Sequence, residues 1–320
     1  MIDKTYHTAA QLIEILRSRG MVIKDGLPYN AVLHILHEEN YYNIVNGYKD
    51  LFLQETSVPS EERYREGTSF EELYALYQFD RDIRHIYLKY LLKVENVFKS
   101  VLAHEFSARY GHDNYLRLEN FHNLPENIGP IIKLFGDVQQ ETARQMSKHH
   151  QAVTHYLSEY GYIPLWVLVN VLTFGKVTMF YQLMKPEDKQ SIARKFQVEE
   201  KELHKYMTLC GLARNRCAHD ERFFDFKSRW HLHTRSIANF RCLGLTRDQS
   251  GSYPSGTNDV YAIAIIFARI LGSADTTEFI ASMAAAFSKL DKQLHTVSSK
   301  DVMQIMGYPA TWKQLQQIAR

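Results

Sequence analysis

From residue 70 to residue 110 the chain contains neither glycine nor proline. Within that run Leu73, Leu76, Ile83, Tyr87, Tyr90, Val94, Val97 and Val101 recur at steps of three and four, the spacing of one helical face. Ser69 and Glu72 stand at capping-box spacing before it, and Gly111 is a natural stop after it. The pattern predicts one long amphipathic helix or two nearly collinear ones. Asp80 fills a missing step in the apolar stripe. A carboxylate there needs a partner, and Arg84 lies four residues on, on the same face. The pair reads either as a structural ion pair or as the lining of a polar cleft.

The rest of the chain has the same character. Only 15 Gly and 8 Pro occur in 320 residues, against a usual combined share of about 12%. That scarcity argues against a turn-rich sandwich or barrel, and no strand pattern competes. Helices are predicted from Thr8 to Arg19, Asn30 to Glu39, Ile131 to Tyr160 (broken near His149-His150), Glu187 to Phe196, Glu199 to Ala218, Asp259 to Leu271, Thr276 to Leu294 and Ser299 to Met306, with a last short one near Pro309. Asn114 to Pro130 and Phe226 to Thr257 read as irregular, and Glu55 to Gly67 as an exposed connector. The class is all-α. The organisation is an N-terminal helical region (1–66), a helical core (67–247) and a C-terminal helical region (248–320). Ile163 to Met184 is largely apolar but includes Asn170, Lys176 and Gln182, with Gly175 as a candidate kink. It predicts a buried core helix opened by Pro164, not a membrane span. Three cysteines form no disulfide framework or zinc spacing, and Met1 to Tyr6 lacks an apolar signal core. A soluble, cytoplasmic protein is expected.

Leu212 to Arg222 carries the chemistry. Asn215 and His219 are four apart and share a helical face, with Arg214 beside them. An amide can orient an imidazole, an imidazole moves protons near neutral pH, and a guanidinium holds a phosphate through paired hydrogen bonds. Together these suit cleavage of a phosphodiester without a metal or cofactor, the neighbouring 2′-hydroxyl attacking, which restricts the substrate to RNA. In-line transesterification wants a base and an acid. One histidine per chain therefore predicts a homodimer with a composite site. By itself the spacing is weak, and on it alone His219 reads more readily as a helix-end residue that caps terminal carbonyls.

The net charge is only +2, from 38 Lys+Arg and 36 Asp+Glu, which argues against a bulk polycation. Charge is nevertheless localised. Phe226 to Arg247 holds Lys227, Arg229, Arg235, Arg241 and Arg247 and no acid, interleaved with Trp230, His231, His233 and Phe240. This is either a solvated face or an RNA-binding surface with stacking rings. Arg81, Arg216 and Arg222 join Asp80, Arg84, Lys227, Arg229 and Arg235 as candidate RNA-contacting residues. His219 with His231-x-His233 lacks the supporting ligands of a metal site. The pairs Tyr41-Tyr42 and Tyr74/Tyr77 read as core residues or base-stacking surfaces.

Leu212 to Arg222 resembles the Arg-Asn-x-x-x-His signature of the HEPN superfamily. Tyr41 to Tyr48, Leu76 to Arg84, Pro164-Leu165-Trp166 with Thr173-Phe174-Gly175, and Met306 to Pro309 with Trp312 resemble, in order, segments of its abortive-infection branch, the AbiD/AbiF-like proteins. The resemblance spans residues 5 to 315; Asp225 stands where many relatives carry Asn. It implies a HEPN-type helical bundle with N- and C-terminal helical extensions. It also implies a metal-independent, usually dimeric endoribonuclease of anti-phage defence or a toxin, restrained in some relatives by an RNA or protein antitoxin. Arg214, Asn215 and His219 map onto the signature as catalytic residues. The alternative is a non-catalytic protein that scaffolds or sequesters a structured RNA; a third reading is a protein-interaction module of a toxin–antitoxin pair.

Overall fold

The computed structural model describes residues 6–55, 62–234, 237 and 240–320. The glycine- and proline-free run forms one continuous helix, α3, Phe70–Tyr110, preceded by α1 (Ala9–Ser18) and α2 (Leu27–Glu38). Ser69 accepts from the Glu72 amide and Glu72 answers to the Ser69 amide, closing the capping box. The same Glu72 carboxylate accepts from the amides of His295 and Thr296 at 2.5 and 2.6 Å. One residue therefore starts the long helix and ties the C-terminal region to it.

The chain continues through α4 (Pro125–Ser147), α5 (Gln151–Tyr160), α6 (Leu165–Val171), α7 (Phe174–Leu183), α8 (Pro186–Lys195), α9 (Glu200–Ala218), α10 (Val260–Leu271), α11 (Ser273–Asp291) and α12 (Ser299–Ile305). A 3₁₀ turn, Trp312–Ile318, follows. Among the described residues there are isolated β-bridges and no strand, so the fold is all-α. α3 is the axis: α6, α8, α9, α10 and α11 all pack on it. Apart from Arg269 in its last turn, α10 is apolar around its circumference and almost wholly buried. Against it, Tyr87 of α3 meets Phe223, Phe267 and Phe279, and its hydroxyl lies 2.5 Å from that of Tyr308. One apolar cluster runs through all three stretches marked off in the sequence.

Two elements differ from the sequence pattern. The apolar stretch after Pro164 is two short helices, broken at Leu172-Thr173 rather than bent at Gly175. Thr173 adopts extended backbone and caps α7 by accepting from the Lys176 amide. No helix among the described residues is long and apolar enough to cross a membrane. α4 begins at Pro125, inside the segment read as irregular. Proline is at home in a first helical turn, and the helix carries Pro130 within it as well.

Candidate functional site

α9 ends at the motif. His219 follows its last residue, and its amide bonds to the Asn215 carbonyl at 3.0 Å. Asp220 then takes a left-handed conformation, φ 57°, and the Glu221 amide returns to the Arg216 carbonyl at 3.1 Å. This helix-ending turn is usually made by glycine, and aspartate is one of the few side chains that tolerate it. It throws the chain back across α3, and a buried network receives it there. Asp80, with no exposed surface, accepts from the amides of Phe223 (3.1 Å) and Phe224 (2.6 Å), from the Tyr48 hydroxyl (2.6 Å) and from Arg84 (2.5 Å). The other arm of Arg84 reaches Asp220 at 2.5 Å. Burial pushes the Asp80 carboxyl up from its ordinary value, and Arg84, Tyr48 and the two amides pull against that shift. The ion-pair alternative is thus the geometry observed. Asp80 and Arg84 lie beneath the site as its foundation and present no group to solvent.

The motif side chains face outward. Asn215 and His219 are exposed, and the His219 ring has no hydrogen-bond partner among the described residues. Arg214 is 35% exposed, with its Nε 3.5 Å from Oε2 of the buried Glu95. Glu95 pairs with Lys99 at 2.7 Å, and Lys99 donates to the Leu172 carbonyl at 2.8 Å, where α6 ends. Glu95 therefore sets a negative charge beside the guanidinium of Arg214, which stays partly open to solvent. Sequence reasoning missed Glu95 and Lys99. Their i,i+4 spacing beside Val94 was a signal, but their partners at 172 and 214 are distant in the chain.

His219, Arg216, Arg222 and Lys227 line one open cleft of about 830 Å³. Its opposite wall is the N-terminal segment Tyr42 to Tyr48. Tyr48 stacks on Phe224 (centroids 5.5 Å, planes 21° apart), and Arg222 donates to the Gly47 carbonyl. The other candidates are scattered. Arg81 is exposed 3.7 Å from Glu39, and Arg229 sits over the Trp230 ring. Arg235 lies outside the described residues. His231 and His233 turn to Thr257 (3.1 Å) and Lys205 (3.3 Å).

The decisive comparison is with family models. One described as Abi-like protein matches residues 34–225, more than half of the chain. The chain belongs to the Abi-like protein family. No curated protein and no solved structure matches it. In this Abi-like protein the matched region takes in both cleft walls except Lys227, together with the Asp80 network, Glu95 and the Arg214–His219 motif, and it closes at Asp225. Lys227, Arg229 and the C-terminal helices lie beyond it.

Proposed function

We propose that the protein is a HEPN-type endoribonuclease that acts as an abortive-infection effector. Family membership points to the abortive-infection role. The observation that carries the enzymatic reading is the end of α9: His219 stands unpartnered in an open cleft at the cap of the helix, five residues beyond an Arg214 whose guanidinium lies 3.5 Å from a buried carboxylate. In this reading His219 takes the proton of the 2′-hydroxyl, that oxygen attacks phosphorus, and the bond to the 5′-oxygen breaks. The products are a 2′,3′-cyclic phosphate and a 5′-hydroxyl end. Arg214 holds the non-bridging oxygens as charge gathers on them, and Asn215 orients the imidazole. Each chain brings one His219, so a second copy facing it supplies the proton for the leaving oxygen, and the working unit is a homodimer.

The test is His219→Ala, with RNA cutting by purified protein and toxicity in cells as readouts. Losing the acid–base group lowers cutting by roughly 10²–10⁴-fold and abolishes toxicity, with cyclic-phosphate ends present only in the unmutated protein. A His219→Ala protein as toxic as its parent sinks the ribonuclease reading and favours a protein that acts by binding RNA.

A further inference from the structure

The cleft has a wall that the cleavage chemistry does not use. Asn40 turns the chain into it, accepting from the Tyr42 amide at 2.8 Å, and Tyr42–Asn46 then forms a single π-helical turn. Such turns are rare and recur at functional sites. This one is fixed from behind: Ile44 and Val45 are fully buried, Tyr48 is bonded to Asp80, and Arg222 holds the Gly47 carbonyl. Its outer face is left open. Tyr42 is 69% exposed, and the side-chain amides of Asn43 and Asn46 line the cleft with no partner among the described residues.

The charge in the cleft is also arranged. Each acid on the opposite wall is already paired: Asp220 with Arg84, Glu221 with Arg216 at 3.3 Å, and Asp225 with Arg222 at 2.6 Å. Lys227 is exposed and has no carboxylate within 4.0 Å among the described residues. The cleft therefore offers an aromatic face, two side-chain amide edges and one cation with no carboxylate in contact, an electrostatic partner of the buried Asp259, in a volume suited to a small organic group. Amides match the donors and acceptors of a base edge, and a tyrosine ring at a fixed position stacks a base at little entropic cost.

We propose that this cleft binds the base of a single-stranded RNA nucleotide next to the bond being cut. Tyr42 stacks the base, Asn43 and Asn46 read its edge, and Lys227 holds the adjoining phosphate. The proposal rests on the ribonuclease reading, because His219 on the facing wall sets which phosphodiester lies beside the bound base.

Its test does not need cutting. In a full-length His219→Ala background, short single-stranded RNA oligomers carrying 2-aminopurine at each position in turn report stacking as fluorescence quenching. Quenching is expected at one position. Tyr42→Ala removes it and weakens binding about tenfold or more, while Tyr42→Trp keeps both. Asn43→Ala and Asn46→Ala leave the quenching and flatten the preference among oligomers that differ in that base. Tyr42 and Asn43 are exposed and Asn46 is half-buried, so unchanged thermal melting verifies folding. Absence of quenching in the parent, or equal quenching and affinity in Tyr42→Ala, overturns the proposal. Cutting by the unmutated chain is scored separately. Cutting without quenching removes the base site and leaves the ribonuclease reading, whereas quenching without cutting removes the ribonuclease reading and leaves the base site.

Discussion

Two buried acid–base pairs lie on α3 at the same i,i+4 spacing, Asp80 with Arg84 and Glu95 with Lys99, about 22 Å apart along the helix. Both hold the end of α9, which runs antiparallel to α3: residue 84 meets 220, and residue 95 meets 214. They differ in completion. Asp80 accepts five hydrogen bonds from four groups, two of them backbone amides. Glu95 gives one oxygen to Lys99, and its Oε2 faces Arg214 at 3.5 Å without a formed hydrogen bond. A saturated carboxylate fixes the backbone. An incompletely bonded one leaves its arginine room to adjust as charge develops on a ligand. The same two-residue pattern thus makes a foundation at one end of the site and a positioning device at the other.

The sharpest way to break this contrast is to remove each acid. Asp80→Ala strands a buried guanidinium arm, a buried hydroxyl and two amides together. It is expected to cost about 3–5 kcal/mol in chemical unfolding, with near-UV circular dichroism reporting loosened packing around Phe223 and Phe224. A destabilisation under about 1 kcal/mol shows that the network is not the foundation described.

Glu95→Gln is the counterpart. The amide keeps the shape and can still accept from Lys99, so the stability loss is smaller, about 2 kcal/mol. The effect that distinguishes it falls on Arg214. RNA cutting drops roughly tenfold, and the double variant with Arg214→Gln loses little beyond Arg214→Gln alone, since residues that act through one another are not additive. Additive losses in that cycle show that Glu95 serves only the fold.

The two pairs also mark how far the sequence could be read. The long helix was legible because its signals are local: Ser69 and Glu72 cap it, Gly111 ends it, and the apolar steps lie on one face. That Asp80 needed a partner, and that Arg84 was in reach, was legible for the same reason. The Arg84–Asp220 pair, the bonds of Asp80 to the Phe223 and Phe224 amides, and the Glu95–Arg214 contact were not, because each joins residues more than a hundred positions apart. Thr173 shows a different failure. Inside an apolar run it looks like core, and only the extended backbone beside it reveals a cap. The motif itself was visible, but the cleft needed the fold to bring Tyr42 to Tyr48 opposite His219.

A third buried carboxylate separates the role of a contacting cation from that of the amides. Asp259 caps α10, accepting from the Gly256 amide at 2.7 Å and the Ala262 amide at 3.0 Å, with no cation within 4.0 Å among the described residues. Burial raises its carboxyl to about 6, and the Gly256 and Ala262 amides, with the charge of Lys227 beyond contact distance, only partly oppose the shift. A carboxyl raised on folding contributes most when protonated. That contribution is complete below the unfolded value near 4 and is lost as pH rises through about 6. Between pH 5 and 7 the unmutated chain should therefore lose about 1 kcal/mol relative to Asp259→Asn, which caps without titrating. Urea unfolding of both proteins across that range measures it. Parallel curves mean that amides, with no cation in contact, hold a buried carboxylate ionised. Arg84 would then add geometry rather than charge to the saturation of Asp80.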